Sequence, residues 1–136
     1  MVVIGGGSAG CEIAYELTDQ KRSVTISEQL PELATDLFSA NRDMLLELLK
    51  VKGAHIMTNC QIEKVIPGIV IYQLLDGIRG EVKTDSIVLA IGRRSVNTLL
   101  PQINELVNEV HVIGDCIASR KVIDAMWEAY KKAIKV

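Results

Sequence analysis

Apolar and polar positions along the chain repeat with two different periods, and the places where the period changes mark out the elements. Residues 1–4 form a short apolar run that reads as a buried strand, and it leads into the glycine-rich stretch 5–10. Past that stretch Ile13, Ala14 and Leu17 fall at helical spacing, and the polar Gln20-Lys21-Arg22 suits the end of the helix. Residues 23–27 read as a second strand, and 29–36 as a loop. Ser39 is placed to cap a helix over about 40–52, with Met44, Leu45, Leu48 and Leu49 as its buried face. Gly53 stops that helix, and 54–58 is a third strand.

Beyond Asn59 the period drops to two. Residues 61–66, the pair Pro67-Gly68, residues 69–75, the pair Asp76-Gly77 and residues 80–84 read as an antiparallel meander. A buried apolar strand returns at 85–90 and ends in Gly92-Arg93-Arg94. In 95–108, Leu99, Leu100, Ile103 and Leu106 permit a short helix, but Pro101 interrupts it, so the stretch reads as irregular. Residues 109–113 are expected to form a further strand closing in Gly114-Asp115-Cys116. Residues 120–135 read as an amphipathic helix with Val122, Met126, Ala129, Tyr130 and Ala133 on one face. The expected fold is α/β: a Rossmann-like parallel sheet with an inserted antiparallel meander, in three layers.

The first turn carries the chemistry. Gly5, Gly7 and Gly10 form Gly-x-Gly-x-x-Gly between a strand and a helix. In that pattern the first glycine allows the tight turn and the second lets the backbone approach a pyrophosphate. The third lets the helix pack close to the strand. The backbone N–H groups of Ser8, Ala9 and Gly10 then face the phosphates with the positive end of the helix dipole. A lone pattern of this kind is weak, since glycine is common in ordinary turns. Here Glu28 stands at the end of the second strand, eighteen residues past Gly10, against the roughly 20 expected of an acid that holds the adenosine ribose. An acid at a strand end is otherwise a solvated charge; turn, spacing and order together point to a dinucleotide. Gln29, Leu30 and Pro31 offer no cation for a 2′-phosphate, and Lys21 and Arg22 sit at the opposite end of the strand, so NADH is expected over NADPH. Two other readings share the fingerprint: a free-standing module that senses NADH, and a turn that holds FAD itself.

Composition narrows the partners. The chain has 136 residues, 49% of them apolar, with a net charge of -2 and its charges scattered, so neither a nucleic-acid groove nor an anionic membrane surface is indicated. With no apolar stretch near the ~20 residues that span a bilayer and no basic leader, a soluble, cytoplasmic protein is expected. Cys11, Cys60 and Cys116 form no Cys-x-x-Cys pair and read as small apolar residues rather than a redox pair or a metal site. His55 and His111 lack acidic or cysteine company in the sequence and read as structural.

Four stretches together resemble the pyridine-nucleotide domain of flavoproteins of the pyridine nucleotide-disulfide oxidoreductase type. They are Gly5-Gly6-Gly7-Ser8-Ala9-Gly10-Cys11-Glu12, Leu30-Pro31-Glu32-Leu33-Ala34 followed by Asn41-Arg42, Val88-Leu89-Ala90-Ile91-Gly92-Arg93-Arg94, and Val112-Ile113-Gly114-Asp115-Cys116. The similarity is greatest to NADH:flavin oxidoreductases of the 2-enoate reductase and dienoyl-CoA reductase kind. The resemblance implies that Ala90, Ile91 and Gly92 lie where the chain passes back to an FAD domain. It implies too that Asp115 hydrogen-bonds the ribityl chain of FAD and that the last helix supports the flavin. On that basis residues 1–108 are the nicotinamide-dinucleotide domain and 109–136 part of an FAD domain. The chain has no first FAD fingerprint, no flavin barrel and no cysteine cluster for iron and sulfur, and Ser95 stands where proline is usual. It is therefore expected to be a segment of a larger reductase that passes hydride from NADH to FAD, inactive by itself, with a homodimer through the last helix as a further expectation.

Overall fold

In the computed structural model, which describes residues 1–135, β1 (Val2–Ile4) lies inside a four-stranded parallel sheet. Along one edge it pairs with β2 (Thr25–Ser27), Val3 opposite Ile26, and along the other with β7 (Ile87–Leu89), Val3 opposite Val88. β3 (His55–Met57) extends the sheet beyond β2, giving the order β3-β2-β1-β7. All three residues of β1 are buried, as a parallel strand covered on both faces requires.

The two coverings differ in kind. On one face Val3 and Ile26 meet Cys11 and Ala14 of α1 (Ser8–Asp19) and Leu45 and Leu49 of α2 (Ser39–Val51). On the other, Val2 and Ile4 meet Val70, with Ile62 and Val82 beside it. Those residues belong to a separate antiparallel sheet of β4 (Cys60–Ile66), β5 (Ile69–Leu74) and β6 (Arg79–Lys83). Period-two alternation in a three-residue strand thus holds three layers together: meander, parallel sheet, helices. Each fully buried aliphatic side chain contributes about 1.5–3 kcal/mol. The meander turns where glycine allows it, at Gly68 (φ 79) and Gly77 (φ 87), and the pairing of β4 with β5 shifts register between Ile62 and Lys64.

Several boundaries differ from the sequence expectations. The parallel strands are shorter than expected, the second starting at Thr25. Ser39 is not the cap of α2: Phe38 takes the N-cap position without a side-chain hydrogen bond, and Ser39 is the first helical residue. Met44 is 61% exposed, because Leu45 and Leu49, one turn apart, point at the sheet and leave Met44 on the solvent flank. α1 stops as expected around Gln20, and Lys21 supplies the left-handed residue (φ 64) that lets the Arg22 N–H reach the Leu17 carbonyl.

Residues Met1–Gly92 form one compact unit and Arg93–Val136 a second. In the second, α3 (Leu100–Asn104) occupies the stretch expected to be irregular. Pro101 sits in the first turn of α3, where its missing N–H has no intrahelical role, so it starts the helix instead of breaking it. Residues 109–113, expected as a strand, form none; among the described residues this unit contains no strand that could complete a ladder with them. A single 3-10 turn, Gly114–Cys116, follows, and then α4 (Val122–Ala133). α4 has the expected amphipathic pattern, yet none of its residues is buried. Trp127 and Tyr130, each more than half exposed, meet edge to face at 5.9 Å.

Candidate dinucleotide-binding site

The turn after β1 is fastened on both sides. The Gly5 N–H donates to the Ser27 carbonyl at 2.8 Å, and the Ala90 N–H donates to the Ile4 carbonyl at 2.7 Å. Gly5 has φ 104, and a Cβ there would stand 2.4 Å from the Ala90 oxygen. A Cβ on Gly10 would stand 2.0 Å from the Gly5 oxygen, so α1 can lie against the turn only with glycine at that position. Gly6 is equally constrained, since its Cβ would meet Leu33 Cδ2 at 2.2 Å and Glu28 Cβ at 2.9 Å. The sequence pattern treats Gly6 as a free position, because the contacts that confine it come from residues more than twenty positions away.

Gly7 is different. Its φ of -66 and ψ of 178 suit any residue, and the nearest atom to a Cβ there is Asp36 Oδ1 at 3.9 Å. Nothing in the packing demands glycine at 7; its bareness leaves room in front of the start of α1. Gly7 is also the N-cap and has no side chain to cap with. Its carbonyl accepts the Cys11 N–H, while the first-turn N–H groups of Ser8, Ala9 and Gly10 have no intrahelical partner.

Two carboxylates reach this turn. Glu28 follows β2 and is 9% exposed. Its Oε2 accepts the Gly6 N–H at 2.6 Å and its Oε1 the Leu30 N–H at 2.8 Å. Each oxygen retains acceptor capacity for a further donor such as a hydroxyl. Glu28 is therefore a brace of the glycine turn as well as the acid at the strand end. The second carboxylate, Asp36, comes from the loop after β2: Oδ1 accepts the Ser8 N–H at 2.9 Å and Oδ2 accepts the Ser8 hydroxyl at 2.5 Å. Sequence reading missed it, since a helix cap supplied from 28 positions away leaves no local spacing to detect.

Arg42 of α2 also approaches this loop. Its Nε donates to the Leu33 carbonyl at 2.7 Å and its Nη2 to Glu32 Oε2 at 2.9 Å, so the cation is engaged in holding the loop together. Cys11, with no exposed surface, donates its S–H to the Gly6 carbonyl. Burial pushes its thiol up to about 11, helped by the negative charges of Asp36, Glu28 and Glu12, and a thiol so held is a poor nucleophile at neutral pH.

Of the residues singled out from sequence, Gly5, Gly7, Ser8, Ala9, Gly10, Glu28, Ala90, Ile91 and Gly92 come together at the carboxyl edge of the parallel sheet. Ala90 presses its carbonyl on Gly5, Ile91 is 71% exposed, and Gly92 turns the chain with φ 94. Asp115 lies in the second unit, exposed in the 3-10 turn. That turn is held by Glu128, which accepts the Gly114 N–H at 2.7 Å and pairs with Arg120. His111, expected to lack acidic company, has its Nε2 3.1 Å from Glu109 Oε1. Among the described residues no cluster of His, Cys, Asp or Glu could hold a metal ion, and no helix is long and apolar enough to cross a membrane.

A four-stranded parallel sheet in the order 3-2-1-7, with a glycine turn opening α1 and an acid after β2, defines a Rossmann-like α/β domain. The chain belongs to the pyridine nucleotide-disulphide oxidoreductase family, which it matches over residues 1–133. It is 33% identical to an NADH oxidase of Thermoanaerobacter brockii over 138 aligned residues, covering 100% of this chain and 21% of that protein. It is 31% identical to a cinnamate reductase of Clostridium sporogenes, covering 98% of this chain and 20% of that one. A solved 2-naphthoyl-CoA reductase in complex with 2-naphthoyl-CoA superposes with a TM-score of 0.85 at 26% identity, over 99% of this chain and 21% of its own. The chain thus spans about a fifth of the length of these relatives.

Proposed function

We propose that this chain is the NADH-binding part of a flavin-dependent oxidoreductase of the enoate-reductase kind. The observation that carries the reading is Gly7, the one glycine of the turn that the fold does not require, bare in front of the N-terminus of α1. A pyrophosphate fits such a place, with the N–H groups of Ser8, Ala9 and Gly10 to receive it. Glu28 has acceptor capacity left for the hydroxyls of the adenosine ribose, and Ala90, Ile91 and Gly92 border the same edge. When bound, the nicotinamide supplies a hydride, which in the full-length protein passes to FAD. The residues described here bind and orient; none of them moves a proton or forms a bond. Asp115 is assigned to the ribityl chain of FAD, with Glu128 holding its turn. The name of one relative, an NADH oxidase, supports a nicotinamide-linked oxidoreductase, and that of another, a cinnamate reductase, supports the enoate-type parent.

NADH is preferred to NADPH in this reading. A 2′-phosphate beside Glu28 would meet like charge, and Arg42, which approaches the loop from α2, is already engaged with Glu32 and Leu33. Titration calorimetry on the 136-residue chain, wild type and Gly7→Ala, tests both points. NADH should bind at least about tenfold more tightly than NADPH, about 1.4 kcal/mol. Gly7→Ala should fold with a stability within about 1 kcal/mol of wild type, because a methyl group fits there, and should bind NADH at least about tenfold more weakly. Undiminished NADH binding by a folded Gly7→Ala would refute the reading.

A further inference from the structure

Asp36 stands where the reading above puts a phosphate. Both of its oxygens are on Ser8, one on the backbone N–H at 2.9 Å and one on the hydroxyl at 2.5 Å, and Oδ1 is also the nearest atom to the bare side of Gly7. The Ser8 N–H is the first-turn donor next to that bare side. A carboxylate and a phosphate oxygen cannot both take it in line, and two anions side by side at one helix end repel each other.

The loop is built to deliver this carboxylate. Leu33 and Ala34 are buried, and the Ala34 N–H donates to the Gly6 carbonyl at 2.7 Å, so the loop is tied to the glycine turn itself. Ala34 takes a left-handed conformation (φ 50), after which the Leu37 N–H closes back on the Ala34 carbonyl at 3.1 Å. Thr35 and Asp36 form the exposed tip of that turn. Leu33 and Ala34 anchor the backbone in the core, while Asp36 stands exposed at the tip.

We propose that Asp36 is an internal competitor for the phosphate-binding end of α1, and that a dinucleotide enters by displacing its carboxylate from Ser8. This rests on the dinucleotide reading of the turn. Asp36 caps α1 in the free protein and lowers the affinity of the filled site, so that the segment after β2 sets how tightly the nucleotide is held as well as which nucleotide is chosen.

Calorimetry with NADH on the 136-residue chain tests the proposal, using wild type, Asp36→Asn, Asp36→Ala and a control, Glu47→Gln, which removes an acid from the exposed face of α2. Both Asp36 variants should bind NADH at least about tenfold more tightly than wild type, while the control should stay within about twofold. If wild type binds and the folded Asp36 variants bind equally or more weakly, the competitor role is overturned and the dinucleotide site stands. If a folded wild-type chain binds neither NADH nor NADPH, the dinucleotide reading fails and the competitor role with it. A measurement on the wild-type chain covers variants that do not fold. In a crystal structure of its NADH complex, Asp36 should have left Ser8, and an Asp36 Oδ1 still within about 3.2 Å of the Ser8 nitrogen would overturn the proposal.

Discussion

Replacing Glu28 with alanine should loosen the glycine turn, and the size of the effect can be worked out from its two contacts. The carboxylate accepts the Gly6 N–H at 2.6 Å and the Leu30 N–H at 2.8 Å, while Glu28 itself is 9% exposed. Hydrogen bonds to a charged acceptor are worth about 1.5–3 kcal/mol each. Leu30 is 51% exposed, so its N–H can turn to water. Gly6 is buried under Leu33, and its N–H has no such recourse. Relief of the carboxylate's own desolvation offsets part of the loss. A net destabilisation of about 3 kcal/mol follows, or roughly 10 °C in melting temperature for a chain of this size. Urea unfolding should be followed by far-UV circular dichroism, which reads the helices and strands of the first unit directly. Amide exchange at Gly6 should accelerate, and Glu28→Gln, which keeps one acceptor oxygen, should fall between wild type and alanine. A loss below about 1 kcal/mol with unchanged exchange at Gly6 would show that the carboxylate does not brace the turn.

Two other substitutions probe neighbouring contacts. Gly10→Ala should destabilise by about 3 kcal/mol or more in urea unfolding, since its Cβ would lie 2.0 Å from the Gly5 oxygen, in contrast to Gly7→Ala, and a near-wild-type midpoint for Gly10→Ala would contradict the close approach of α1 to the turn. Cys11 gives a pH signature: its folded thiol titrates at about 11 against 9.0 when unfolded, so its stabilisation is complete below pH 9 and is lost as pH rises from 9 to 11, by about 2–3 kcal/mol, a decline that should be smaller in Cys11→Ala.

The parts of the fold that can be read from the sequence are those whose cause is local. β1, the glycine turn and α1 follow from an apolar run, three spaced glycines and a helical stripe within about twenty residues. The meander follows from alternation broken by Pro67-Gly68 and Asp76-Gly77. What could not be read depends on distant partners. Gly6 is confined by Glu28 and Leu33, α1 is capped by Asp36, and Arg42 is tied down by Leu33 and Glu32. Each of these contacts reaches from the first turn or α2 into the segment over residues 28–38, which has no periodicity of its own. The one local signal there is the residue type, an aspartate, and it can serve a turn as readily as a distant helix end.

The same reasoning explains the errors in the second unit. Residues 109–113 have strand character, but strand character describes side chains that suit a pleated, half-buried surface and says nothing of whether a neighbour is there to pair with. Without a ladder the extended chain around Val112 stays irregular and only the Gly114–Cys116 turn is fixed, by Glu128. α4 shows the complementary case. Its period correctly gives a helix with an apolar face, and Ile123, Met126, Trp127 and Tyr130 on it are 53–62% exposed. An apolar stripe reports that a face suits burial, while the covering surface must come from elsewhere. The chain spans about a fifth of the length of its relatives, so the surfaces to which residues 93–135 are adapted need not lie within it. The glycine turn of the first unit, by contrast, is built from Met1–Gly92 alone, with strand, loop and brace all present, which is why the nucleotide reading can be tested on this chain and the flavin assignment of Asp115 needs the full-length protein.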